Sequence, residues 1–201
     1  MLKERLPGRP HAIVGYSLGG NQVLKWLGEQ GDNAPVDCAV AVSVPFDLFA
    51  SAAALESGIS RLYQRYLVNQ LYEKVSGKFA HHAAPPVDVT SVSPGSSFTE
   101  FDDRITAPLH GFDGAEHYYS SSSSRQFLSQ VRVPTLLLQA KDDPFLLPHG
   151  LPEPADLAPL IQYELSDAGG HVGFVAATRW GRPIYWLERR IPHFLETQLR
   201  T

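Results

Sequence analysis

The pentapeptide Gly15-Tyr16-Ser17-Leu18-Gly19 constrains this chain more than any other stretch. It follows the apolar run Ala12-Ile13-Val14 and leads into a helix-like segment from Gly20 to Glu29. A G-x-S-x-G pattern between strand and helix reads as a sharp turn, a nucleophile elbow that leaves the serine hydroxyl projecting above a sheet. Strand and helix pass so closely there that the serine's neighbours must be small. Glycines at 15 and 19 meet that demand. With Gly at about 7% of residues in ordinary proteins, the bare pattern arises by chance too readily to stand alone. Its flanks carry the weight, against the plainer reading of a glycine-rich turn with an incidental serine.

Taken in order, the chain alternates strand and helix. His11 to Gly15 is the first predicted strand, and Val23, Leu24 and Leu27 give the following helix one buried face before Gly31-Asp32-Asn33 ends it. Val36 to Val44 is nearly continuous in apolar residues, as suits a parallel strand covered on both faces. From Leu48 the spacing of Leu55, Ile59, Leu62, Tyr66, Leu71 and Val75 predicts an amphipathic helix broken at Gly77. A proline- and serine-bearing loop follows from Ala83 to Ser97, and Ser120 to Ser124 is a short run of low complexity. Strands are predicted at Val133 to Ala140 and Ile161 to Leu165, a short helix at Asp156 to Leu160, and a last helix at Pro183 to Leu199.

This order gives an α/β fold with a mostly parallel sheet in one domain spanning residues 1–201. The helical stretch from about 48 to 125 is expected to be a cap inserted between sheet strands, with Leu62, Tyr66 and Phe79 as side chains that select a ligand. Ligands bind at the C-terminal edge of such sheets.

At 201 residues, 43% hydrophobic and 19% charged, the chain can bury a full core. A formal charge of −4 offers no basic field for nucleic acid. The N-terminal residues lack the apolar stretch of a secretory signal, and no run is long enough to span a bilayer. Cys38 is alone in an apolar run, where it reads as a small buried hydrophobe rather than a reactive thiol. A cytoplasmic protein is expected.

A serine hydroxyl becomes a useful nucleophile only when an imidazole accepts its proton, and a carboxylate must fix that imidazole's tautomer. Ser17, Asp143 and His171 occur in the order serine, acid, histidine, and each follows a predicted strand. Asp142 is the rival acid. The remaining histidines show neither the paired spacing of a zinc helix nor a cysteine partner, so neither a metal nor a cofactor is expected.

Gly15 to Asn21, Ala140 to Phe145 and Gly169 to Phe174 resemble the three signature stretches of the YheT-like α/β-hydrolases. The stretch Phe101 to Phe112 and the pair Tyr118-Tyr119 resemble that family's middle region. The resemblance covers nearly the whole chain. It implies the α/β-hydrolase fold and a serine esterase acting on short- to medium-chain esters or acylglycerols, with Ser17 as nucleophile, Asp143 as acid and His171 as base. Leu18 would offer its backbone N–H to the oxyanion. Two other functions fit the same residues: a non-catalytic binding protein of this fold, and an acyltransferase that uses an alcohol in place of water.

Members of the family carry further strands before the elbow, including a turn that supplies a second oxyanion donor. For a chain that starts at the elbow strand, the expectation is an open sheet edge, covered by a missing N-terminal segment or by self-association, and weak activity.

Overall fold

The computed structural model describes residues 5–178 and 180–199. They form two compact units. One takes the described residues up to 46, then 123–143, then 148 onward; the other takes 47–122 and 144–147.

The first unit is built on a four-stranded parallel sheet of β1 (Ala12–Tyr16), β2 (Cys38–Val42), β3 (Thr135–Ala140) and β4 (Ile161–Ser166), in that spatial order. Each strand starts or stops within two residues of its predicted bounds. Helix α1 (Leu18–Gln30) returns the chain from β1 to β2, a βαβ crossover. β1 borders the sheet, and among the described residues its only strand partner is β2. Its start is pinned by the Asp37 carboxylate, which accepts from the His11 N–H at 2.6 Å, while the Asp37 N–H donates to the His11 carbonyl at 2.7 Å.

β2 and β3 are buried along their whole length, as the apolar sequence of β2 predicts and although β3 carries Thr135 and Gln139. Their side chains alternate between two cores. Cys38, Val40, Val42, Leu136, Leu138 and Ala140 pack with Phe174 and with Leu187, Ile191 and Phe194 of the C-terminal helix. The opposite faces, with Ala39, Ala41 and Leu137, pack against Val23, Leu24 and Leu27 of α1. A leucine fully buried in this way contributes about 1.5–3 kcal/mol. Cys38 lies inside the first core with no exposure, and burial, followed by the nearby Asp37 charge, raises its thiol pKa.

Several expected boundaries move. The stretch read as one helix to Gly77 is two, α2 (Leu48–Leu55) and α3 (Ser60–Phe79), and the break lies at Ser57-Gly58-Ile59. Gly77 is carried inside α3 at a position with open space around it. The serine run is ordered structure: Ser120 to Ser122 complete α4 (Ala115–Ser122), and the fully buried Ser124 donates its N–H to Asn21 Oδ1 at 2.8 Å. A one-turn 3-10 helix at Pro154–Asp156 replaces the short helix expected at Asp156 to Leu160. The last helix, α5, runs Leu187–Leu199, because Pro183–Tyr185 is instead β6, paired antiparallel with β5 (Val175–Ala177). That hairpin was not expected. With three-residue strands and prolines nearby, its alternation is too short to stand out from loop.

The second unit is helical and lies in the sequence between β2 and β3, with Pro144–Leu147 added from beyond β3. Its core joins Val68 and Val75 of α3 to Val87, Val92, Phe101 and Ile105. Phe79, expected to face a ligand, packs against that core instead, whereas Leu62 and Tyr66 are exposed. A π-helical turn at Asp102–Thr106 places the Asp102 carboxylate between Tyr119 OH at 2.7 Å and Thr106 Oγ1 at 2.6 Å, both donating to it. Burial raises the Asp102 pKa, and those two hydrogen bonds offset only part of the shift. The same burial, with the Asp102 charge beside it, pushes Tyr118 up to about 12.

No helix among the described residues is long and apolar enough to cross a membrane.

Candidate active site

Ser17 is held in a left-handed backbone, φ 50° and ψ −127°, between the end of β1 and the start of α1. Such a conformation costs a non-glycine residue on the order of 1–3 kcal/mol and persists only where its surroundings over-determine it. Here they do. The Ser17 N–H donates to the Val42 carbonyl of β2 at 2.8 Å, and the Ser17 carbonyl accepts from the N–H groups of Gly20 at 2.9 Å and Asn21 at 3.2 Å.

The close approach of strand and helix is real, but the glycines that permit it are not both the expected ones. A Cβ on Gly15 would lie 2.5 Å from the Gly19 carbonyl oxygen. One on Gly20 would lie 2.8 Å from Val44 Cγ2 and 3.2 Å from the Gly15 oxygen. Gly19, the last residue of the motif, has open space where its side chain would be. The tight pair is therefore Gly15 and Gly20.

All three residues singled out by order and position come together. His171 Nε2 lies 2.9 Å from Ser17 Oγ, and His171 Nδ1 lies 2.9 Å and 3.1 Å from the two carboxylate oxygens of Asp143. A carboxylate can only accept, so Nδ1 carries the proton and Nε2 presents its lone pair to the serine hydroxyl. The Asp143 side chain is wholly buried, and that of His171 is 17% exposed. Leu18 opens α1, so its N–H has no partner within the helix and lies at the positive end of the helix dipole. Among the described residues no group of three or more His, Cys, Asp or Glu side chains could hold a metal ion.

Asp142 takes a separate position. Its Oδ1 accepts from the N–H groups of Gly169 at 2.9 Å and Gly170 at 2.8 Å, the two residues before His171.

Sequence reasoning passed over two further groups. Gln139, inside β3 and fully buried, accepts from the Val44 N–H through Oε1 at 2.8 Å, which turns its Nε2 toward Asp143 Oδ2 at 3.4 Å. Ser43, also fully buried and at φ 52°, accepts from the Val172 N–H through Oγ at 2.9 Å. Three consecutive residues past the middle of the sheet thus touch the surroundings of all three site residues: Val42 holds the Ser17 amide, Ser43 the residue after His171, and Val44 the glutamine beside Asp143. A lone glutamine in an otherwise apolar strand was the available signal for the first. Nothing in the sequence marked the second.

Comparison with known proteins agrees with this architecture. Residues 1–177 match the family described as alpha/beta hydrolase fold. The protein named "Putative esterase YheT" of Escherichia coli (strain K12) is 44% identical over 199 residues, which are 98% of this chain and 58% of that protein. Phospholipase ABHD3 of Mus musculus is 31% identical over 194 residues, 96% of this chain and 47% of that protein. Among solved structures, the Pyrococcus furiosus esterase Pf2001 superposes with a TM-score of 0.52 at 14% identity, covering 98% of this chain and 57% of that one. This chain thus spans about half the length of the curated relatives it matches. It belongs to the α/β-hydrolase fold family, among the relatives of YheT.

Proposed function

We propose that the site hydrolyses carboxylic esters of short to medium acyl chains, or acylglycerols, through an acyl-enzyme on Ser17. The observation that carries this reading is the continuous hydrogen-bonded chain from Ser17 Oγ through the His171 imidazole to the buried Asp143 carboxylate. In the proposed reaction His171 Nε2 takes the hydroxyl proton as Ser17 Oγ attacks the ester carbonyl, and Asp143 stabilises the imidazolium that forms. The Leu18 N–H at the helix start stabilises the developing oxyanion. His171 then returns the proton to the leaving alcohol, the ester C–O bond breaks, and water releases the acid by the same steps in reverse. The names of the relatives, "Putative esterase YheT" and "Phospholipase ABHD3", support the ester as the bond attacked.

The test is hydrolysis of p-nitrophenyl butyrate by the parent chain and by Ser17→Ala and Asp143→Asn. Ser17→Ala is expected to lose up to about 10⁶ in kcat and Asp143→Asn about 10⁴. A Ser17→Ala chain that hydrolyses the ester at the parent rate overturns the assignment.

A further inference from the structure

The loop that carries His171 is held on both sides by side chains the reaction itself does not use. Before the histidine, Asp142 Oδ1 accepts from the amides of Gly169 and Gly170; after it, Ser43 Oγ accepts from the amide of Val172. The two acceptors reach in from different strands, Asp142 from the end of β3 and Ser43 from the end of β2. The loop needs such restraint. Gly170 has φ 60°, Val172 has φ 64° and Phe174 has φ 43°, and a left-handed backbone is seldom adopted by a β-branched residue such as valine. An unrestrained loop would leave these conformations and take the imidazole with it.

The pattern extends along β3. Lys141 pairs with Asp167, Asp142 binds the amides of 169 and 170, and Asp143 binds the His171 ring, so three consecutive residues after the strand hold successive points of the chain after β4. Lys141 and Asp167 are exposed, so water can replace their contact. Asp142 is exposed as well, but its one oxygen accepts from two backbone amides next to the histidine at once, and Ser43, which holds the amide on the other side, is fully buried.

We infer that Asp142 and Ser43 are positioning residues, a two-sided clamp on the backbone of the His171 loop that keeps Nε2 within hydrogen-bonding distance of Ser17. The inference rests on the proposed hydrolase reading for its catalytic consequence, but the clamp has its own structural readout. It also gives Asp142 a role different from that of Asp143: Asp142 needs only an acceptor oxygen, not a charge.

The experiment compares the full chain with Asp142→Ala, Asp142→Asn and Ser43→Ala. It measures amide hydrogen exchange at Gly169, Gly170 and Val172, together with kcat and KM for p-nitrophenyl butyrate. In Asp142→Ala, exchange at 169 and 170 is expected to rise by about tenfold or more while core amides of β2 and β3 stay protected. kcat should fall about 10- to 100-fold with KM nearly unchanged, the effect of misplacing a catalytic group. Asp142→Asn keeps an acceptor oxygen and should restore most of both readouts. Ser43→Ala should raise exchange at Val172 and lower kcat in the same sense.

Unchanged exchange at 169 and 170 in Asp142→Ala overturns the clamp, as does raised exchange with an unchanged kcat. An Asp142→Asn chain as impaired as Asp142→Ala, with protected amides, also overturns it and makes the Asp142 charge the acting group. Should Asp142→Ala and Ser43→Ala raise exchange at their amides while the parent shows no Ser17-dependent hydrolysis, the clamp is supported and the hydrolase reading alone fails.

Discussion

Gln139 Nε2 faces Asp143 Oδ2 across 3.4 Å because its own oxygen is engaged by the Val44 N–H. The amide cannot turn over without leaving that N–H unpaired in a fully buried place, so the residue can only donate toward the carboxylate. Gln139→Glu keeps the shape and replaces the donor with a second negative charge beside Asp143. Like charges at this distance disfavour joint ionisation. The expected result is a loss of about 1–3 kcal/mol in unfolding free energy at pH 7, read by urea denaturation, with ester hydrolysis reduced. Stability and rate equal to those of the parent would remove Gln139 from the support of Asp143.

The elbow gives a sharper test of which glycines matter. Gly19→Ala meets open space near the start of a helix and should leave stability unchanged or raise it by about 0.4–1 kcal/mol. Gly20→Ala drives a Cβ to 2.8 Å from the fully buried Val44 and should cost about 1–3 kcal/mol. Thermal melts of the two variants decide the matter, and a reversed order would contradict the packing described for Ser17.

The buried Asp102 makes the helical unit sensitive to pH. Its folded pKa is raised, chiefly by burial, so the native state binds more protons than the unfolded state once pH passes the unfolded value of about 3.9. Stability contributed by the protonated form is therefore lost as pH rises from there through the folded pKa. Asp102→Asn removes this titration. Unfolding curves from pH 4 upward should show a smaller fall in stability for the variant than for the parent, and parallel curves would contradict the burial of the charge.

Much of this arrangement was legible from sequence where a residue type has one physical use. The strand before Ser17, the apolar run of β2, the leucines of β3 and the turn at Asp142-Asp143-Pro144 each carry a local signal, and those signals located the strands along the chain, while their order in space is a finding of the structure. Asp143 could be preferred over Asp142 only through family resemblance. The structure separates them by which partner each meets 27 or 28 residues later, and no local pattern records that. Gly19 misled because the motif names the position after Leu18, whereas the crowding falls one residue further on, where α1 meets Ala41 and Val44. Ser43 carries no signal at all: a serine after a buried valine run reads as the start of a loop, and its bond to Val172 spans 129 residues.

The central claim is that the imidazole of His171 activates Ser17. Its most direct test is intact-mass analysis after exposure to a fluorophosphonate, which requires an activated serine and no knowledge of the natural ester. The account predicts one phosphonyl adduct on the parent chain, located at Ser17, with none on Ser17→Ala and much slower labelling of Asp143→Asn. A parent chain that takes up no adduct, or a Ser17→Ala chain that takes up as much as the parent, would contradict it.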